Sequence, residues 1–533
     1  MNNEEPVAQH FMVTSPHDLA SKVGSRILRE GGNAFDAAVA VSATLGVVYP
    51  HMTGVGGDAF FMIYKAGTQE IAGYNGSGRA GARANIPFFR DKGLVSIPLR
   101  GVLSALTVPG MADAWWEVWS GNGRLSWHRL LEPAVEYAES GFPISRNLHE
   151  WICRDEDLIR MNPEMEKVFL PRGTIPHIGD TLVQQDLANT LRLLQQHGKD
   201  AFYCGEIMAA IVADMNINGG LLGENDFKSH QGQWVEPIST TYRGHRIYQM
   251  PPNSQGFTAL MMMNMLELVN LKAIDRYSAE FYHLMAEVIK KAFRDRDLHL
   301  TDPDYAGIPL GRLLSKTYAQ ELAGQISPYT ASAHVSSEMG QDTAYAAVVD
   351  EEGNGVSFIQ SLYFDFGSCY MPAGTGIIMQ NRGSFFSLEP SHVNCLQPGK
   401  RTFHTLMPAM IFKDDRPYML FGTQGGEGQP QTQLSIMTGV LDYGYSIQEA
   451  IALPRWVYGR TWGQDSDILK VEGRLTALEV EALRGKGHEV ERMADWDWIM
   501  GQAQGILIDR DKGIVIGAAD PRGDGQAIGG PKL

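Results

Sequence analysis

Thr343 heads an apolar run, Ala344 to Val349. The turn Glu351-Glu352-Gly353-Asn354-Gly355 follows after Asp350, then a second run from Val356 to Ser361. β-Branched residues suit strand positions, so a hairpin opening on a threonine is the simplest structural reading. A threonine hydroxyl becomes a nucleophile only beside a base. Cutting the Asp342–Thr343 bond would supply one, because the freed α-amino group, with an ordinary pKa of ~7.7–8.0, can take the hydroxyl proton. A second stretch could complete such a site. Phe421-Gly422-Thr423-Gln424-Gly425-Gly426-Glu427-Gly428 lies between an apolar strand and a helix. Glycines there allow backbone N–H groups to approach a ligand and to stabilise the oxyanion of acyl transfer. The stretch lacks the Lys-Ser/Thr of a P-loop and the spacing of a dinucleotide fingerprint, which argues against phosphate binding.

Other chemistry is sparse. No His, Cys or Asp grouping has metal-ligand spacing, and no Gly-x-Ser-x-Gly elbow occurs. No metal and no cofactor are expected. Gly54-Val55-Gly56-Gly57-Asp58 reads as close backbone packing. His51 and His404 read as hydrogen-bonded structural histidines, and Arg294-Asp295-Arg296-Asp297 as a solvated or ion-paired helix face.

The elements that must position these residues are strands in pairs and helices in runs. Helical periodicity covers His17 to Glu30, Phe35 to Val47 (apolar all round, hence buried), most of 111–140 and 183–232, Thr258 to Val269 and Ala279 to Leu298. Thr432 to Leu441 and Thr476 to Arg484 are later helices. Strands are expected at Ala59–Tyr64, Glu70–Tyr74, Tyr242–Gln249, Gly376–Gln380, Met407–Phe412 and Tyr418–Gly422, with a closing hairpin over Ile506–Ile516. Gln325 to Gln341 is small and polar, with the composition of a mobile loop. This pattern predicts packed antiparallel sheets covered by helices, not a doubly wound fold.

With 533 residues, 44% of them hydrophobic, the chain can bury a large core. Its net charge of −16 argues against nucleic acid and anionic membrane as partners. The four cysteines, Cys153, Cys204, Cys369 and Cys395, are scattered without paired spacing, which suits a reducing compartment. Met1 to Glu5 is acidic and lacks the apolar core of a secretory signal, so a cytoplasmic location is expected.

Together these motifs resemble the γ-glutamyltransferase family of N-terminal-nucleophile hydrolases across nearly the whole chain. The likeness runs from Ser15-Pro16-His17 and Gly31-Gly32-Asn33-Ala34-Phe35-Asp36-Ala37-Ala38 through Pro50 to Gly57, Pro251-Pro252-Asn253-Ser254-Gln255-Gly256 and Asp342-Thr343 to Gly399-Lys400-Arg401 and Gly425-Gly426. The resemblance implies an αββα sandwich made from one precursor. Cleavage would give a large subunit, 1–342, and a small one, 343–533, which stay associated and could form a dimer of heterodimers. It implies Thr343 as nucleophile, Ser361 as a hydroxyl supporting it, and Gly425 and Gly426 as the oxyanion donors.

The substrate positions depart from the family. Gly76 stands where the family's carboxylate-binding arginine is expected, with Arg79 nearby. Phe385 replaces the aspartate that holds the α-amino group, and Arg382 takes a polar contact position. Tyr363 replaces an asparagine, His404 and Thr405 replace two serines, and Cys369 replaces a glycine. An ammonium group without its carboxylate is costly to bury, whereas arginine accepts a carboxylate. The expected substrate is therefore a small carboxylate-bearing amide such as oxamate, held by Arg79, Arg382 or Arg401, with Tyr363, His404 and Thr405 lining the pocket. Two enzymatic alternatives are a γ-glutamyl hydrolase or transferase acting on glutathione-like compounds and a cephalosporin-acylase-like amidase. An alternative of another class is an uncleaved binding protein.

Overall fold

The computed structural model describes residues 5–333, 343–459 and 466–531. Two seven-stranded sheets face each other. The first runs in the order Val7–Ala8, Ile514–Ala519, Ala503–Asp509, Arg416–Thr423, Ala409–Lys413, His245–Gln249, Ile238–Tyr242. The second runs Gln526–Gly530, Phe11–Ser15, Ala344–Val349, Gly355–Ser361, Asp58–Lys65, Glu70–Asn75, Gln233–Val235. Neighbouring strands are antiparallel throughout both.

Side chains alternate across a strand, and that period sorts the residues into layers. Tyr345, Ala347 and Val349 pack with Phe60, Met62, Met410, Leu420 and Ile506 between the sheets. Ala344, Ala346 and Val348 turn the other way, into the core shared with the helices Asp18–Arg29, Ala34–Val48 and Trp127–Ser140. On the first sheet, Ala409, Ile411, Met419 and Phe421 face outward, against Gly256–Leu266, Ala279–His299 and Gln429–Leu441. The result is the expected αββα sandwich. All fifteen residues of Ala34–Val48 are buried, and Asn33 and Asp36 cap its start reciprocally.

The threonine-headed hairpin lies at the middle of the second sheet. Its turn is fixed by Asp350, whose carboxylate accepts from the Asn354 and Ala34 amides, each at 2.9 Å. The register pairs Ala344 with Gln360 and Ser361 with Asp58. Extending it by one residue sets Thr343 opposite Ser361. Thr343, Ser361 and Asp58 thus form one row across three strands, on the face turned toward the other sheet. Gly422 keeps the sheets close there, since a Cβ on it would lie 2.3 Å from the Tyr345 ring.

Two expected elements differ. Tyr242–Gln249 is not one strand: Tyr242 ends the strand Ile238–Tyr242, Arg243 and Gly244 turn at positive φ, and His245–Gln249 pairs back as the second strand of a hairpin. Gly376–Gln380 is no strand: its amides bond singly to loops, Met379 N–H to the Tyr370 carbonyl and Gln380 N–H to that of Gly56. Residues 334–341 of the expected loop, and Asp342, lie outside the described residues. Among the described residues no helix is long and apolar enough to cross a membrane.

Candidate active site

Segments distant in the chain meet at Thr343, with Ser361 opposite it on the neighbouring strand and Gln429 bonded to its hydroxyl. Thr343 is buried, and its Oγ1 accepts from Nε2 of Gln429 at 3.3 Å. Gln429 opens the helix Gln429–Leu441, directly after the Gly425–Gly428 turn. In that turn Gly425 and Gly426 have φ of +121° and +49°, conformations that favour glycine. Successive N–H groups at such a turn form an anion-binding concavity, and the opening amides of a helical turn have no intrahelical acceptor. Gln255 fixes the turn to the opposite wall, donating from Nε2 to the Gly426 and Thr405 carbonyls, both at 2.9 Å. Behind it, Arg296 is wholly buried and bonds Gln255 and Glu427, each at 3.3 Å. Of the acidic-basic run at 294–297, Arg296 is therefore an ion-paired residue of the interior, bonded to Asp297 as well as Glu427.

Ser361 Oγ accepts from the Tyr363 amide at 2.7 Å and from Nη2 of Arg382 at 3.5 Å. Nη1 of Arg382 donates to Oγ1 of Thr405 at 3.2 Å. The guanidinium lies over the Tyr363 ring, 4.3 Å from its centroid, and 5.1 Å from that of Phe385. Tyr363 and Phe385 stack at 4.2 Å, with Tyr363 held at a φ of +88°. Arg382 makes no ion pair among the described residues, and its Nε has no hydrogen-bond partner. Burial lowers its pKa to about 10, so it remains a cation at neutral pH. The buried Arg296, Arg455 and Arg522 all meet carboxylates. Arg276, like Arg382, stacks on aromatic rings instead, but its partners Tyr282 and Ser435 are not those flanking Thr343.

The other two candidate arginines are engaged. Arg79 pairs with Asp302 at 3.0 Å and with Asp304 at 2.7 Å. Arg401 donates to the Ser77 and Gln231 carbonyls and to Gln233, each at 3.0 Å. Gly76 leaves no room for a side chain, because a Cβ would sit 2.7 Å from the Ala59 carbonyl oxygen and 2.8 Å from Ala114 Cβ.

Asp58 is a hub that sequence reasoning missed. One oxygen accepts from Gln380 Nε2 at 3.0 Å and from the Gly110 and Gly78 amides at 3.1 and 3.3 Å. The other lies 3.1 Å from His404 Nε2. The Leu406 amide donates to His404 Nδ1, so Nε2 carries the proton and donates to Asp58. Burial first, and the Arg382 charge second, lower the His404 pKa to about 4, leaving a neutral ring. His404 is thus a satisfied histidine that also orders the pocket wall, while His51 bonds Asn147 at 2.7 Å.

Among the described residues, one potential metal-binding group lies elsewhere. His283, Glu287 and His488 are buried with ligand atoms within 4.8 Å of one another. The histidines bond each other at 2.8 Å, and Lys290 and the Ser332 amide occupy Glu287. Cys369 is buried at a φ of +51°, 3.6 Å from Arg100 Nη1, and burial raises its thiol pKa to about 12.

Residues 20–530 match the profile described as Gamma-glutamyltranspeptidase, and the chain belongs to that family. It is 51% identical over 527 residues to the glutathione hydrolase-like YwrD proenzyme of Bacillus subtilis, covering 99% of this chain and 100% of that one. It is 38% identical to the oxamate amidohydrolase proenzyme of Klebsiella pneumoniae, over 98% and 99% of the two chains. The cephalosporin acylase of Bacillus halodurans superposes with a TM-score of 0.91 at 35% identity, covering 99% and 97%. The protein is a hydrolase of amide C–N bonds with an N-terminal-nucleophile fold.

Proposed function

We propose that this chain cleaves itself at Asp342–Thr343 and then hydrolyses the amide of a small, carboxylate-bearing substrate such as oxamate. The observation that carries the substrate class is Arg382. It is a buried cation that pairs with no carboxylate among the described residues, its Nη groups reach the hydroxyls of Ser361 and Thr405, and it stacks where the family's ammonium-binding acid would stand. Burying a charge is costly unless it is paired, and a bound carboxylate supplies the pair. An incoming ammonium would instead meet Arg382 and Phe385. The nearest acid of the row, Asp58, already holds four donors.

In this reading Thr343 Oγ1 attacks the amide carbon while its own α-amine takes the proton. Gly425 and Gly426 N–H groups stabilise the oxyanion, and Ser361 supports the hydroxyl. The proton passes to the leaving nitrogen as the C–N bond breaks, and ammonia departs. Water then hydrolyses the acyl-enzyme. Residues 1–342 and 343–533 act as one associated unit, since their strands share both sheets. Parallel assays of ammonia from oxamate and glutamate from glutathione test the assignment. Glutamate release without ammonia release overturns it in favour of a rebuilt γ-glutamyl site. The similarity to the cephalosporin acylase favours a second reading, hydrolysis of a larger acyl amide, which a side-chain-bearing acyl substrate panel would reveal.

A further inference from the structure

We propose that Gln429 is a catalytic residue that grips Thr343 at two points, with Nε2 on the hydroxyl and Oε1 on the α-amino group released by cleavage. This rests on the reading of Thr343 as a processed nucleophile. Gln429 is fully buried, and its Nε2 donates to Thr343 Oγ1 at 3.3 Å. Its Oε1 is buried without a hydrogen-bond partner among the described residues. The two glutamines beside it are satisfied at both ends. Gln431 donates to the Tyr458 carbonyl and accepts from the Tyr458 amide. Gln433 donates to the Met407 carbonyl and accepts from Gln249. Of these three helix glutamines only Gln429 has an orphaned acceptor, and of the buried glutamines with one (Gln249, Gln380, Gln424 and Gln429) it is the one whose other end bonds Thr343.

A side-chain amide presents its acceptor and donors on one planar fork, and the amine and hydroxyl of a terminal threonine are neighbours on one residue. Cleavage at Asp342–Thr343 turns an amide N–H into an amine with protons to spare. One of those N–H groups bonds Oε1, which holds the nitrogen lone pair toward Oγ1. When the amine takes the hydroxyl proton, Oε1 accepts from an ammonium and the bond strengthens. The Gly425–Gly428 turn and this fork are consecutive in the chain, so one backbone unit carries both oxyanion donors and amine anchor.

The test uses the cleaved fraction of the full-length protein, isolated by mass, and reads the acidic limb of the kcat/KM profile against pH. In Gln429→Glu the limb moves up by about 1–2 pH units, because a carboxylate favours the ammonium. In Gln429→Leu it moves down, and kcat falls roughly 10- to 100-fold with KM little changed. Cleaved variants whose limbs coincide with wild type overturn the proposal. So does a failure of both folded variants to be cleaved, which would place Gln429 in processing alone. A wild-type chain that stays whole removes the parent reading instead, so the two failures are distinguishable.

Discussion

Replacing Arg382 with glutamine separates a substrate anchor from a structural cation. The guanidinium is buried, without a carboxylate among the described residues, and bonded to the hydroxyls of Ser361 and Thr405. Two charge-assisted hydrogen bonds to a substrate carboxylate, less what glutamine retains, amount to about 3 kcal/mol, or roughly a hundredfold in kcat/KM. The loss is confined to an anionic substrate. Ammonia release from oxamate should fall by that factor, while release from the neutral diamide of similar size changes little. Stability should move the other way. Removing an uncompensated buried charge relieves its desolvation, so Tm should hold or rise. Arg382→Lys keeps the charge but loses the fork and stacks less well on Tyr363, so it should fall between the two. Equal losses on both substrates, or a lower Tm with unchanged preference, would refute the reasoning.

Gly76→Arg restores the family's residue type but not its site. Its Cβ would press on the Ala59 carbonyl, so it should cost about 1–3 kcal/mol or more in denaturant unfolding and yield no glutamate from glutathione. Gly422→Val should lower stability and slow cleavage together, because its side chain meets the Tyr345 ring one residue before Thr423 leads into the oxyanion turn. Acid should destabilise the fold from near pH 6.5 downward. Burial lowers the pKa of His51 to about 3 and those of His230 and His404 to about 4. The unfolded chain therefore binds more protons over this window. Stability rises with pH there by up to about 4 kcal/mol per unit for the three groups, and is lost as pH falls through the folded values. Denaturant midpoints at pH 7, 6 and 5 check this slope, and a flat profile contradicts it.

The parts of the site carried by local pattern were legible in the sequence. The period-two hairpin behind Thr343 and the glycine turn at 425–426 follow from side-chain alternation and backbone freedom, and both form as read. The choice among arginines was not legible, because it depends on distant partners. Arg79 is spent on Asp302 and Asp304, far along the chain, which leaves Arg382 as the cation beside the hydroxyl row. Asp58 read only as the end of a glycine cluster, since its row with Ser361 exists only once the strands pair. Gln429 carried no signal beyond following the glycine turn by a few residues. Tyr242–Gln249 read as one strand because Arg243 offers no hint of its positive φ, although Gly244 does. Gly376–Gln380 has strand composition, yet its amides bond to loops on several sides and cannot form a ladder.

The central claim is that Thr343 becomes an N-terminal nucleophile. Intact-mass measurement of the purified protein beside Thr343→Ala, each assayed for ammonia release, tests it most directly. The account predicts two fragments for the wild type, the smaller beginning at Thr343, and a single inactive chain for the variant. A wild-type chain that stays whole and still hydrolyses amides, or an active Thr343→Ala variant, would contradict it.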